Sequence, residues 1–221
     1  MDVRRGLVLL LLTAASACDA PTVPSEAPGY DPTLPFGAGV IYHWPLGRSI
    51  AVYAHTAGAP DGFDLPGAIL RANEIWGDAL RYREFDVHLV STPAEADVVF
   101  HFDTDSVVSV SSCTTPATGA AGITSFCTNP GVTQFVGIPL VSGEPSNVKF
   151  DVQISASPVR IPNAAAFQRI VAHEFGHVIG IGRHSASMAD LMFGAPTVDI
   201  PSDADAQTLR YVLHQPAQLR P

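Results

Sequence analysis

Three histidines and a glutamate in the last quarter of the chain have the types and spacing to do chemistry. Residues 173–184 read His-Glu-Phe-Gly-His-Val-Ile-Gly-Ile-Gly-Arg-His. On a helix, His173 and His177 lie four positions apart and share one face, one turn apart. Two imidazoles so placed can reach one zinc ion at the usual ~2.0–2.1 Å. Glu174 cannot point with both histidines, but it can reach water at the metal and act as a general base. A catalytic zinc takes three protein ligands and keeps one position open. Gly180 can adopt positive φ, end the helix and turn the chain back. His184 then follows in time to supply the third nitrogen. The chemistry implied is hydrolysis by zinc-activated water. The other reading is a pair of solvent-facing histidines on an ordinary helix. The apolar flanks Ile170, Val171, Phe175, Val178 and Ile179 oppose it, as does the cost of burying Glu174 without a partner.

These residues need a scaffold. The helix carrying the pair is expected from about Asn163, a capping residue, to Ile179. Upstream, Ser49–Ala54 alternates as a strand does. Asp64 can cap a helix over 65–80 with Pro66 in its first turn. Ile69, Ala72, Ile75, Trp76 and Ala79 recur there at helical spacing, and Trp76 reads as a core residue. Strands are expected at 85–90, 96–102 and 148–155, with shorter candidates at Gly122–Phe126 and Thr133–Leu140 in the loop-rich stretch 103–147. Ser202 and Asp205 form a capping-box-like start for a last helix, 202–213. This order predicts an α+β domain built on one mixed sheet.

Composition narrows the choice of function. The chain has 221 residues, which suits one domain with short extras. It is 47% hydrophobic and 15% charged, enough to bury a core. Net charge is −9, Lys149 is the sole lysine among 12 basic residues, and there is no basic stripe, so nucleic acid is not an expected partner. No G-x-S-x-G, no phosphate-binding glycine loop and no cysteine nucleophile is present, which excludes serine, nucleotide and thiol chemistry.

Residues 1–17 read as a signal peptide: Arg4 and Arg5, an apolar run from Gly6 to Leu12, then small residues. Cys18 follows Ala15-Ser16-Ala17. It is either a lipidated first residue of a mature bacterial lipoprotein, on the periplasmic or cell-surface face of a membrane, or part of a secreted chain cleaved just before it. Residues 18–38 are expected to be a Pro-rich tether and 39–221 the catalytic domain. A membrane is expected as a partner only through that anchor, and the protein is expected to be a monomer. Cys113 and Cys127 enclose 13 residues. In an exported protein they are expected to form a disulfide, worth about 3 kcal/mol in the chain-entropy model; free thiols or a metal site are the alternatives.

The stretch His173–His184 resembles the zinc-binding segment of the metzincin peptidases, and of the matrixins in particular. Their pattern is H-E-x-x-H-x-x-G-x-x-H followed by a Met-containing turn. His173, Glu174, His177 and Gly180 match in place. Arg183 stands where the third histidine is expected, and His184 comes one residue late. Ser185 after it, and Met192 within Ala189–Phe193, keep the family's spacing from His184. One extra residue, absorbed at Gly182, accounts for all of this. The likeness extends over 39–215 and is specific over 163–193.

The resemblance implies a metzincin-like catalytic domain with a mixed twisted sheet, an active-site helix and a C-terminal helix. It implies a zinc endopeptidase with His173, His177 and His184 on one catalytic Zn²⁺ and Glu174 as general base. Met192 would pack below the metal without ligating it. An extended peptide or protein substrate would pair with an edge strand from 122–126 or 133–140, and 193–200 would wall the pocket for the side chain just past the cut. His101 and Asp103 do not reproduce the family's structural zinc and calcium sites, so further Zn²⁺ or Ca²⁺ is left open. Asp190 is a substitute for His184. His43, His55, His88, His101 and His214 are isolated and read as structural or exposed. A zinc-bound but inactive lipoprotein that holds a peptide or cell-wall partner is the alternative, although such a binder has no need of Glu174. A structural lipoprotein with no metal is the third possibility.

Overall fold

Strand β1 (Ser49–Ala54), helix α1 (Leu65–Ala79), strands β2 (Asp86–Leu89), β3 (Val98–Phe102), β4 (Gly122–Phe126) and β5 (Phe150–Ile154), and helices α2 (Ala164–Ile179) and α3 (Asp203–Leu213) follow one another in that order. The computed structural model describes residues 27–35, 39–104, 119–127 and 148–216. The expected signal peptide, Cys18, Cys113 and the strand candidate 133–140 lie outside the described residues. The architecture is α+β, with a five-stranded mixed sheet in the order β2-β1-β3-β5-β4. The first four of these run parallel. β4 is antiparallel to β5, with Gly122 opposite Ile154 and Phe126 opposite Phe150, and it forms an edge of the described sheet.

The residue types account for the layers. All five residues of β3 are buried, as an apolar run in a central parallel strand must be. Val98, Phe100 and Phe102 enter the main core with α1 and α2, whereas Val99 joins a smaller cluster with Ala96, Cys127 and Val148. Cys127 is buried and disulfide-bonded. On α1, Leu65, Ile69, Ala72 and Trp76 form the buried face. Trp76 Nε1 donates to the Ala172 carbonyl of α2 at 2.8 Å, tying the two helices together. The single lysine is not on the surface: Lys149 is buried and reaches Asp97 at 3.1 Å, beside Arg48 at 2.7 Å.

Caps set the helix starts. The Asp64 carboxylate accepts from Gly67 N–H at 3.1 Å and the Asn163 side chain from Ala166 N–H at 2.9 Å. Ser202 and Asp205 satisfy each other's backbone N–H groups, at 3.1 and 2.9 Å. Each such cap contributes about 1 kcal/mol.

The expected tether ends earlier than residue 38. The segment 27–35 is held by the domain: Tyr30 N–H donates to Thr208 Oγ1 at 3.2 Å, Gln207 Nε2 to the Ala27 carbonyl at 2.7 Å, and Gly182 N–H to the Pro32 carbonyl at 2.8 Å. Leu34 is buried. A Pro-rich stretch without apolar periodicity gives no pattern from which such docking can be read, because backbone groups and single side chains make it. Among the described residues no helix is long and apolar enough to cross a membrane.

Candidate metal centre

Helix α2 carries His173 and His177 on the face that the spacing requires. Both are buried. The helix stops at Gly180, whose φ of +137° suits glycine. A Cβ there would lie 2.8 Å from the Tyr42 carbonyl oxygen and 2.7 Å from Val212 Cγ1. Two aromatic side chains from the segment before β1 satisfy the carbonyls freed at this helix end. Tyr42 Oη donates to the His177 carbonyl, and Trp44 Nε1 donates to that of Val178 at 2.9 Å.

The chain then turns back and delivers His184. The ring centroids of His173, His177 and His184 stand 5.0, 5.1 and 5.1 Å apart, close to an equilateral triangle. One nitrogen from each lies within 4.8 Å of the others. The Nε2 atoms of His177 and His184 are 3.3 Å apart. Arg183 points elsewhere. Its Nε donates to Thr33 Oγ1 at 3.2 Å and lies 3.2 Å from Asp31 Oδ2. The docked 27–35 segment thus holds Arg183 outward while His184 turns inward.

Hydrogen bonds fix the tautomers. His173 Nδ1 donates to the Leu191 carbonyl at 2.7 Å, and His177 Nδ1 to the Ile181 carbonyl at 2.6 Å. A carbonyl oxygen only accepts, so each Nδ1 carries the proton and each Nε2 keeps its lone pair. Burial, with a smaller contribution from the nearby His184, lowers the His173 pKa to about 4, against the opposing effect of its hydrogen bond to the Leu191 carbonyl. Burial, with His173 and His184 alongside, pushes His177 well below its ordinary value, and burial lowers His184. All three imidazoles are therefore neutral at pH 7, the form that binds a metal. Three neutral nitrogens converging on one point, with one ring exposed to solvent, fit a zinc ion with an open position.

No protein-family model matches the chain, and no curated protein matches it.

Glu174 is buried beside the cluster. Burial raises its pKa to about 7, against the opposing effect of a hydrogen bond from Thr124. That hydroxyl, on edge strand β4, lies 2.7 Å from Glu174 Oε2. Oε1 lies against Gly122, where a Cβ would approach to 2.5 Å.

Met192 is fully buried. A Cβ on Gly176 would lie 2.3 Å from its sulfur and 2.7 Å from Trp76 Cζ2, so the glycine inside the motif lets the methionine turn reach the helix. The Leu191 peptide is held at both ends. Its carbonyl accepts from His173, and its N–H donates to Asp205 Oδ2 at 2.7 Å. Asp205 Oδ1 also accepts from Tyr30 Oη at 2.6 Å. Asp190, the substitute ligand, is buried away from the cluster, accepting from Ser185 Oγ and from Ser202 Oγ. The other five histidines also stay apart. His43 bonds the Trp44 and Gln215 carbonyls, His55 meets Tyr53, His88 Ser49, His101 Asp151, and His214 the Arg210 carbonyl. Thr124, Gly122, Gly176, Asp205 and Tyr30 are the site residues that sequence reasoning missed. Of these Asp205 carried a signal in its capping box, which concerned a helix end, and Gly122 and Thr124 lay in the strand candidate 122–126, which was expected to meet substrate and not Glu174.

Proposed function

We propose that the chain is a zinc-dependent endopeptidase of the metzincin type, similar to the matrixins. The observation that carries this reading is the convergence of His173, His177 and His184 beside the carboxyl of Glu174, at the edge strand β4. Zinc held by the three imidazoles supplies a Lewis acid that polarises a peptide carbonyl and acidifies water. Glu174 does the proton work: it accepts the proton of the attacking water and returns it to the departing amine. Thr124 holds Oε2, which leaves Oε1 of the same carboxyl for that transfer. β4, at the edge of the described sheet, can pair with an extended peptide and lay the scissile bond across the histidines. The disulfide at Cys127 supports an exported protein.

The test is cleavage of a mixed peptide pool by the zinc-loaded full chain beside its Glu174→Ala form. Cuts made by the parent alone are expected. Zinc bound by both with cuts by neither would replace the enzyme with a zinc-bound peptide-binding protein.

A further inference from the structure

Two cavities meet over Glu174 and His184. One, of about 520 Å³, passes Pro35, Ile123 and Thr124. The other, of about 540 Å³, is lined by Arg160, Pro162, Ala166, Arg169, Ile170 and Pro196 among others. We infer that the second cavity is a binding site for an acidic side chain of the substrate, held by Arg160 and Arg169. That the substrate is a peptide rests on the function proposed above.

Arg169 lies one helical turn before His173 and shares its face of α2, so it lines the cavity that opens at the histidines. Arg160 comes from the connection between β5 and α2. In a chain of net charge −9, this cavity has two guanidiniums in its lining and, among the described residues, no acidic side chain but Glu174 itself. The acidic partners of the two arginines lie outside the lining. Arg169 contacts the exposed Asp199 through Nε at 2.9 Å and Nη2 at 2.8 Å. Arg160 Nη1 lies 3.3 Å from Ser155 Oγ and 3.5 Å from Asp103 Oδ2. Arg169 Nη1 and Arg160 Nη2 are left without a protein partner among the described residues.

Guanidinium N–H groups recognise a carboxylate by charge-assisted, often paired hydrogen bonds. Ala166, Ile170, Pro162 and Pro196 give the stem of such a side chain an apolar wall. A leucine there would strip water from the guanidiniums and return no hydrogen bond, and a lysine would be repelled.

Binding can be measured without turnover. The zinc-loaded full chain carrying Glu174→Ala is titrated with fluorescent alanine-based hexapeptides bearing Glu, Gln, Leu or Lys at each position in turn. The Glu peptide should bind about tenfold more tightly than its Leu and Lys counterparts at one position, and added Arg160→Gln or Arg169→Gln should bring that preference below about twofold. Arg169→Lys should keep part of it. Equal binding of all the peptides, a preference for Leu or Lys, or a Glu preference that survives both glutamine variants overturns the assignment. The parent peptide series decides even where a variant does not fold. The same peptides given to the chain with Glu174 intact separate the two ideas. Acid-selective binding without cleavage sinks the peptidase alone, and cleavage indifferent to the acid sinks this pocket alone.

Discussion

In the proposed reaction Glu174 is the residue on which proton transfer depends, and two neighbours fix where its oxygens lie. Replacing it with Gln keeps the volume and the Thr124 contact but removes the base. Turnover should fall by about 10²–10⁴-fold, the usual worth of a general base, with zinc content unchanged by metal analysis. A Glu174→Gln chain as active as the parent would assign the proton transfer elsewhere. Gly122 offers a quieter test. A methyl group there would stand 2.5 Å from Glu174 Oε1 and 2.7 Å from Ile170 Cγ2, inside van der Waals contact. Gly122→Ala should therefore lower kcat while the three histidines keep their zinc, because the atoms nearest the added methyl belong to Glu174 and Ile170 and not to the histidines. Loss of zinc together with activity would mean that the strand, and not the carboxyl alone, had moved.

At the scale of elements, the three histidines that could hold a metal are positioned by pieces far apart in sequence. Tyr30, α3 and the methionine turn meet at Asp205, which is fully buried. Asp205→Asn removes one acceptor oxygen from a group that serves four donors. It should cost about 2–3 kcal/mol, as for a buried polar group left unsatisfied, read as a fall in the urea midpoint. Because the Leu191 peptide also holds the His173 ring, zinc affinity measured against a competing chelator should fall with it. Tyr30→Phe, which loses a single donor, should cost about 1 kcal/mol and weaken zinc less. Unchanged zinc affinity in both variants would confine Asp205 to helix capping.

These contacts also mark what can be read from sequence. Helix ends were legible because Asp64, Asn163 and Ser202 each bond a backbone group within three residues. The candidate ligands were legible because helical spacing brings His173 and His177 together. Tyr30 and Asp205 are 175 positions apart, and Thr124 meets Glu174 only because β4 lies against α2. No local pattern marks such pairs. Docking of 27–35 escaped notice for the same reason, and it explains why Arg183 turns away and the offset His184 turns in.

For the molecule as a whole, stability and metal binding are linked through the same buried groups, with opposite signs. In metal-free protein the folded pKa of His173 is about 4, below its ordinary 6.5. The stability this neutral ring contributes is fully present above pH 6.5 and is lost as pH falls towards 4, about 3 kcal/mol in all. His177 acts in the same direction. Glu174 opposes them: its folded pKa is raised from 4.5 to about 7. Its contribution is fully present below pH 4.5 and is lost as pH rises through 7, again about 3 kcal/mol. Between pH 7 and 5 the carboxyl therefore cancels roughly one histidine, and the parent chain in EDTA should lose stability only gently on acidification. Glu174→Gln removes the opposing group. Its urea midpoint in EDTA should be higher than the parent's at pH 7 and should fall more steeply towards pH 5. Zinc should raise both chains at pH 7, since it binds the folded state alone, and the gain should shrink towards pH 5 as protons compete for the imidazoles. A Glu174→Gln midpoint that is flat or rises on acidification would show that the histidines are not buried as neutral rings. A midpoint indifferent to zinc and EDTA at pH 7 would leave three converging imidazoles with no metal to hold, and would favour a structural protein over an enzyme.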